Sequence, residues 1–223
     1  ASPVMKNRHK EPSCLIQLEV IYEDGEKEHF ASDGNDTCRL SQIVYSDLYQ
    51  GEKQDFTMGE QKTFPVLVKD YGYDMLRAQP MEPIIAAKLT PATGVLQSPA
   101  GEQIVDFGQV MCGRARVHID VPAGREVVME YFEVLSEDGN YINTMFAPQK
   151  DTVVSNGKPI EHEAIFTFHG FRYIRVTGLK EVRKEDFTAV LLTTKKDNAG
   201  SFETSDERVN RLYENIRWSQ YSN

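Results

Sequence analysis

Residues 114–121 alternate strictly between apolar and polar side chains. Apolar residues occupy every second position of this segment, namely Ala115, Val117, Ile119 and Val121. Because successive side chains of a β-strand point to opposite faces, the pattern predicts a strand with one buried and one solvated face.

Further strand patterns follow, separated by residues typical of turns. Asn156-Gly157 is a strong signal for a tight turn, and Pro122-Ala123-Gly124 and Glu137-Asp138-Gly139 also predict turns. The predicted strands are residues 126–135, 165–168, 171–177 and 187–194. Strands at intervals of roughly 8–12 residues are typical of a β-sandwich, which we predict for this half of the chain.

The first part of the chain has shorter apolar patterns. Residues 14–22 alternate as a strand, Glu23-Asp24-Gly25 predicts a hairpin turn, and residues 28–32 form the returning strand. The remaining predictions are a polar loop at residues 33–62, a short strand at 64–69 and a proline- and glycine-rich passage between domains at 70–100.

The pattern changes to a helical one near the end of the chain. Thr204 or Ser205 is predicted to cap the helix, and Glu207 would complete a capping box with Thr204. The apolar residues that follow recur at the spacing of one helical face: Val209, Leu212, Tyr213 and Ile216. This stripe either docks on a sheet of the same chain or belongs to a further domain, and we expect the latter, with the chain a piece of a larger protein.

Composition narrows the classes of partner. The 223 residues carry a formal net charge of −9, and the acidic residues are scattered, which argues against nucleic acid and against anionic membranes as partners. No segment approaches the ~18 apolar residues of a membrane span. Because Cys14, Cys38 and Cys112 form no CxxC pair and no histidines stand at zinc-ligand spacing, we predict free thiols and no metal site.

Glycoside hydrolysis requires two carboxylates that face one bond, one protonated and one ionised. The acidic residues considered for this role are Asp106, Glu130, Glu133 and Asp138. Asp106 and Asp138 lie in turn motifs, where aspartate bonds its own backbone. Glu130 and Glu133 lie on a predicted strand with a solvated outer face, so the structural interpretation is favoured for all four.

Other catalytic patterns are missing as well. The chain has no Gly-x-Ser-x-Gly motif and no glycine-rich phosphate loop. The aromatic segment 170–173 is a candidate platform for a sugar, but a core role is favoured, with Arg172 or Arg175 pairing across strands. The histidines share no spacing; they are His9, His29, His118, His162 and His169. The residues therefore predict no catalytic, cofactor-binding or metal-binding site.

Several short segments, in their order and spacing over residues 15–223, resemble the bacterial α-L-rhamnosidases, glycoside hydrolases that release terminal L-rhamnose. The segments are DLYQGE at 47–52, AQP at 78–80, DFGQ at 106–109, VPAG at 121–124, EVLSEDG at 133–139, FHGFRYIRVTGL at 168–179, GSF at 200–202 and NRLYENIRWSQ at 210–220. Each segment alone is a weak signal, and together they are specific.

The resemblance implies an all-β fold class with two antiparallel β-sandwich modules, the first incomplete, followed by the first helix of a missing α/α toroid. The implied domains are a lead-in at 1–13, the C-terminal part of an N-terminal β-sandwich at 14–80, a linker at 81–97, a complete concanavalin-like β-sandwich at 98–197 and the start of the catalytic helical-toroid domain at 198–223.

The resemblance also implies where the chemistry lies. In the family the catalytic acid and base are carboxylates of the toroid, so we expect them beyond Asn223 and expect this chain to be inactive by itself. Some members bind rhamnose with calcium through an N-terminal sandwich, and that site is expected to precede residue 1.

The implied partners are the toroid domain of the same polypeptide and, through the whole protein, a rhamnose-containing glycan. A free-standing carbohydrate-binding or adhesion module is the alternative function. The residues do not distinguish a periplasmic, secreted or cytoplasmic location.

Overall fold

The computed structural model describes residues 13–74, 76–197 and 199–222, which divide into two compact units. The first unit contains the chain up to Leu40 together with Gln61–Leu76, and the second contains Ser41–Glu60 together with the chain from Arg77 onward. In chain order the elements are β1 (Gln17–Ile21), β2 (Lys27–Ala31), β3 (Thr37–Arg39), β4 (Ile43–Asp47), β5 (Gly51–Asp55), β6 (Thr63–Pro65), β7 (Ile84–Pro91), β8 (Gly94–Gln97), β9 (Gln103–Ile119), β10 (Glu126–Phe132), β11 (Lys150–Val154), β12 (Ile160–Glu163), β13 (His169–Thr177), β14 (Phe187–Thr194) and α1 (Glu207–Tyr221).

The first unit consists of two separate two-stranded antiparallel sheets in the part that the structure describes, β1–β2 and β3–β6. The predicted hairpin is confirmed: Gly25 adopts a φ of +88° in the turn, and its N–H donates to the Tyr22 carbonyl. Such a left-handed backbone conformation suits glycine because it lacks a Cβ.

The second unit is built on one curled sheet with the strand order β4-β5-β11-β10-β13-β9-β14-β7. The long strand β9 also pairs with β8 and β12, so it belongs to both layers of the curled sheet. The pairs are antiparallel except β5–β11, which is parallel. The all-β fold class predicted from the sequence is confirmed.

The core lies between the inner faces of this sheet. Ala115, Val117 and Ile119 are fully buried, and Val121 packs at the edge of the core, as the alternation predicted. The predicted strand at 187–194 coincides with β14.

The predicted polar loop at 33–62 is wrong, because three strands lie there. Of these, β5 is buried although its sequence is Gly-Glu-Lys-Gln-Asp. Glu52 and Gln54 face the interior, where Gln54 Nε2 donates to the Glu52 carboxylate at 2.7 Å. The strand is therefore held by buried hydrogen bonds instead of apolar side chains, which reverses the expected pattern.

The segment 81–97, predicted as a linker, contains β7 and β8. Pro91 ends β7, which is the last strand of the sheet order, and proline is tolerated on an edge strand because no further ladder hydrogen bond is required there. A complete sandwich was predicted within residues 98–197, but the sheet extends beyond this range, since β4, β5, β7 and β8 also belong to it.

Residues 165–168 form no strand, contrary to the prediction. The N–H groups of Ile165 and Phe166 donate to the Glu52 side chain instead of to a neighbouring strand. The segment is thus a loop fixed by a buried carboxylate.

The helix α1 begins one residue after its cap, Asp206, whose side chain accepts the N–H of Arg208 at 2.9 Å. The predicted caps Thr204 and Ser205 are therefore wrong. The backbone of Thr204 instead exchanges two hydrogen bonds with the Asn210 side chain, which fixes the entry of the chain into the helix. Among the described residues, no helix has the length and apolar character needed to cross a lipid bilayer.

Candidate functional site

Asp106, the first of the acidic residues considered for catalysis, is held by an arginine. Its carboxylate accepts two hydrogen bonds from Arg172, at 2.8 and 2.9 Å, and one from the N–H of Gly108. Burial raises the pKa of Asp106, but the hydrogen bonds from Arg172 and Gly108 outweigh that effect and lower the pKa below its usual value. An ionised, bidentately paired carboxylate cannot serve as a general acid.

Glu130, on β10, is also paired with an arginine of β13. Arg175 donates to Glu130 at 2.8 Å and to Glu102 at 2.8 Å, and its guanidinium lies 3.8 Å from the centre of the Tyr141 ring. The predicted pairing of Arg172 and Arg175 across strands is confirmed.

Glu133 and Asp138 form no hydrogen bond or ion pair through their side chains within the described parts of the chain, and Asp138 is exposed in its turn. Phe171, in the aromatic segment considered as a sugar platform, is fully buried against Phe107 and Tyr131. The segment is therefore part of the core.

A cluster of buried titratable side chains lies inside the second unit, around Glu52. Its carboxylate is almost fully buried and accepts N–H groups from Ile165 and Phe166 at 3.0–3.3 Å in addition to the Gln54 amide. Because a buried carboxylate is costly without such partners, these donors are what allow it to lie there.

Asp151 on β11 is the second buried carboxylate of this cluster. It accepts the N–H of Glu52 at 2.9 Å, and His169 Nε2 lies 3.2 Å from the same oxygen, Oδ1. The His169 ring stacks on Tyr131, with ring centres 4.1 Å apart. Burial raises the pKa of Asp151, but the hydrogen bond from His169 leads a set of effects that lower it overall.

His162 is fully buried, and neither of its ring nitrogens has a hydrogen-bond partner among the described residues. Burial lowers its pKa, against the attraction of Asp151 and Glu52. The sequence carries one signal for this position: His162 alternates with Ile160 and Ala164 at the period of a strand. The sequence carries no such alternation of apolar residues around Glu52, because the burial of Glu52 depends on partners far along the chain.

The remaining histidines and the cysteines do not join this cluster. His118 contacts the exposed Glu161, and His29 contacts Glu19 on the β1–β2 sheet, whereas His9 lies outside the described residues. All three cysteines are free, as predicted. Within residues 13–74, 76–197 and 199–222, no group of three or more His, Cys, Asp or Glu side chains could hold a metal ion.

The surface of the second unit has an apolar groove of about 150 Å³, which we call the aromatic groove. Its walls include Leu48, Tyr49, Met145, Phe146 and Phe168, and Gln149 contributes a polar group. The rings of Tyr49 and Phe146 lie 5.7 Å apart and are tilted by 53°. Phe146 is 79% exposed, so one wall of the groove consists of an aromatic ring in solvent.

The helix α1 has two apolar faces. Trp218 and Tyr221 pack against the core of the sheet, and Lys88 lies over the Trp218 ring at 5.1 Å. On the other face Leu212 and Ile216 are each 58% exposed. Trp218 lies about 200° around the helix from Ile216 and covers the sheet of this chain.

Comparison with known proteins identifies both parts of the chain. Residues 4–88 match the alpha-L-rhamnosidase N-terminal domain, and residues 96–193 match the bacterial alpha-L-rhamnosidase concanavalin-like domain. The chain is 33% identical over 227 residues to the alpha-L-rhamnosidase of Streptomyces avermitilis, an alignment that covers 95% of this chain and 22% of that protein.

Solved structures agree with this relation. The crystal structure of the Streptomyces avermitilis alpha-L-rhamnosidase complexed with L-rhamnose matches with a TM-score of 0.83 at 32% identity, covering 94% of this chain and 22% of that one. The alpha-L-rhamnosidase from Dictyoglumus thermophilum matches with a TM-score of 0.81 at 27% identity, covering 94% and 25%.

The fold and these matches define a β-domain region of the glycoside hydrolase class. The chain belongs to the bacterial alpha-L-rhamnosidase family, of which it carries the N-terminal and concanavalin-like domains. It spans about a quarter or less of the length of the relatives it matches, between 22% and 25% of each.

Proposed function

We propose that this chain is the ancillary β-region of an α-L-rhamnosidase and that it braces a catalytic helical toroid of the same polypeptide. The whole protein would hydrolyse terminal α-L-rhamnosides with inversion of the anomeric centre. Inversion requires two carboxylates about 6.5–9.5 Å apart, with room for a water between them. The acidic residues Asp106 and Glu130 are engaged by arginines. This supports assigning the two catalytic carboxylates to the toroid instead of to this chain.

The observation that carries the bracing role is the outer face of α1. The helix is fixed to the sheet through Trp218 and Tyr221, while Leu212 and Ile216 face solvent. An apolar strip held on a rigid support suits a further layer of helices, because helices bury their apolar faces against one another. A free-standing carbohydrate-binding module, the alternative, would gain nothing from this strip.

The first test is hydrolysis of 4-nitrophenyl α-L-rhamnoside by the 223-residue chain and by a longer polypeptide that continues through the proposed toroid domain. We expect turnover only by the longer polypeptide. Turnover by the 223-residue chain that is lost on mutating one of its own carboxylates would refute the proposal, as would a longer polypeptide without rhamnosidase activity.

The second test addresses the brace itself. In the longer polypeptide, Leu212→Gln should lower the midpoint of thermal inactivation, because it places an amide in the interface. Arg211→Gln is the matched control, since Arg211 is exposed on the same helix and receives the same new side chain. Equal midpoints for the two variants would argue against a packed interface at Leu212.

A further inference from the structure

The aromatic groove is an unassigned concave site in the second unit. Its walls come from the loop after β4, from residues 145–147 and from Phe168, so three separate segments of the chain converge on it. A groove of about 150 Å³ has the volume of the engineered cavity lined by apolar side chains that stays dry and binds benzene. The aromatic groove is therefore large enough for one six-membered ring.

Gln149 supplies the polar group of the groove. The residue is 94% buried, its Oε1 accepts the N–H of Gly170 at 3.3 Å, and its Nε2 has no partner in the described part of the chain. The backbone is fixed as well, because the Gln149 carbonyl accepts the N–H of Tyr131 at 2.9 Å. A buried amide donor without an acceptor is costly, and it becomes satisfied when a ligand supplies an oxygen.

The backbone of Gln149 adopts a φ of 48°, in the left-handed region that favours glycine. A conformation of this kind is unfavourable for other residues and persists where the surrounding structure enforces it. The terminal torsion of glutamine is broad, so the amide is able to reorient toward an acceptor in the groove that Gln149 lines. Gln149, held in this conformation by its surroundings, thus carries the unpartnered donor Nε2 at the groove.

From these observations we propose that the aromatic groove binds an aromatic ring that carries one oxygen acceptor, such as an aryl ketone or a phenol ether. The ring would pack between Tyr49 and Phe146, and its oxygen would accept a hydrogen bond from Gln149 Nε2. A sugar fits less well, because its several hydroxyl groups would lose water against the apolar walls. The inference does not depend on the proposed function, since the groove lies on this chain alone.

The test is a titration of the 15N-labelled 223-residue chain followed by amide chemical shifts. Acetophenone should give saturable shifts at the groove, with a Kd on the order of 1 mM, as is reasonable for so small a ligand. Toluene, a ring without an acceptor, should bind at least about tenfold more weakly. Absence of saturable shifts up to about 20 mM acetophenone, or tighter binding of L-rhamnose at the groove, would overturn the proposal.

Three variants locate the ligand and separate binding from folding. Phe146→Ala should weaken acetophenone binding at least about tenfold, and it is safe for the fold because the ring is exposed. Phe166→Ala removes an aromatic ring that is 63% exposed and not part of the groove wall, and it should leave binding unchanged. Gln149→Met keeps the side-chain length but removes the donor, so it should abolish the preference for acetophenone over toluene. Equal effects of the two phenylalanine substitutions would contradict the assigned site.

Discussion

The Glu52 carboxylate accepts the backbone N–H of Phe166 at 3.0 Å, although the two residues are 114 positions apart in the chain. The bond joins β5 to the loop between β12 and β13. With the parallel pairing of β5 to β11, it holds residues 41–60 in the second unit, whereas the segments that flank them in sequence belong to the first unit. The buried carboxylate thus reinforces the strand pairing that places residues 41–60 in the second unit.

Replacing Glu52 by alanine should lower the free energy of unfolding by about 3 kcal/mol, because the buried Gln54 amide and the N–H groups of Ile165 and Phe166 all lose this acceptor. Chemical denaturation measures the change. Glu126→Ala is the control. Glu126, on β10, forms an exposed ion pair with Lys53, which lies on β5 next to Glu52, and such a pair contributes at most about 1 kcal/mol. Similar losses for the two variants would show that the buried bonds do not stabilise the unit.

His162→Phe should make stability less sensitive to pH. Burial lowers the pKa of His162 in the folded state below its ordinary value of 6.5. The unfolded chain therefore binds more protons just below pH 6.5, so stability is fully present above that pH and is lost as pH falls through the folded pKa. The substitution should remove a slope of at most about 1.4 kcal/mol per pH unit from the dependence of the free energy of unfolding on pH.

The control for this prediction titrates in the opposite direction. A hydrogen bond from His118 to the exposed Glu161 raises the pKa of His118, against a smaller effect of burial. The contribution of His118 to stability is present below pH 6.5 and is lost as the pH rises through the pKa that His118 has in the folded state. Unfolding midpoints at about pH 5 and about pH 8 should thus converge for His162→Phe but not for His118→Phe; an unchanged pH dependence in His162→Phe would contradict the burial effect.

The sequence predicted elements whose pattern is local. The strand at 114–121 and the strand at 187–194 were recognised because alternation within a few residues reflects one buried face. The cross-strand role of Arg172 was also recognised. The family resemblance predicted the two β-domains, since it combined weak segments over the whole chain.

Features that depend on distant partners were missed. Glu52 reads as a solvated residue, and its burial follows only from the Ile165–Phe166 loop. The docking face of the helix was missed because Trp218 stands outside the stripe that defines its amphipathic pattern. The aromatic groove was missed as well, because Tyr49, Phe146 and Phe168 come together only in the folded chain.

Gly51→Ala should destabilise the fold by more than about 3 kcal/mol. Gly51 adopts a φ of +113°, and an added Cβ would lie 2.0 Å from the Lys150 carbonyl oxygen at the β5–β11 pairing. Gly124→Ala controls for the backbone conformation alone, since Gly124 has a φ of +76° and open space around it; the expected cost is about 1 kcal/mol. Equal losses in thermal or chemical denaturation would show that the close approach at Gly51 is relieved without cost.

Trp218→Ala should release the helix α1 from the sheet of this chain. A helix of 15 residues is marginal alone in water, and Trp218 and Tyr221 provide its packing against the core. Hydrogen exchange of the backbone amides over residues 209–218 should therefore accelerate by at least about tenfold in Trp218→Ala. In Ile216→Ala the exchange should change little, because Ile216 is largely exposed and, unlike Trp218, is not among the residues packed against the core. The reverse order of effects would mean that the stripe of Leu212 and Ile216, and not the Trp218 face, anchors the helix.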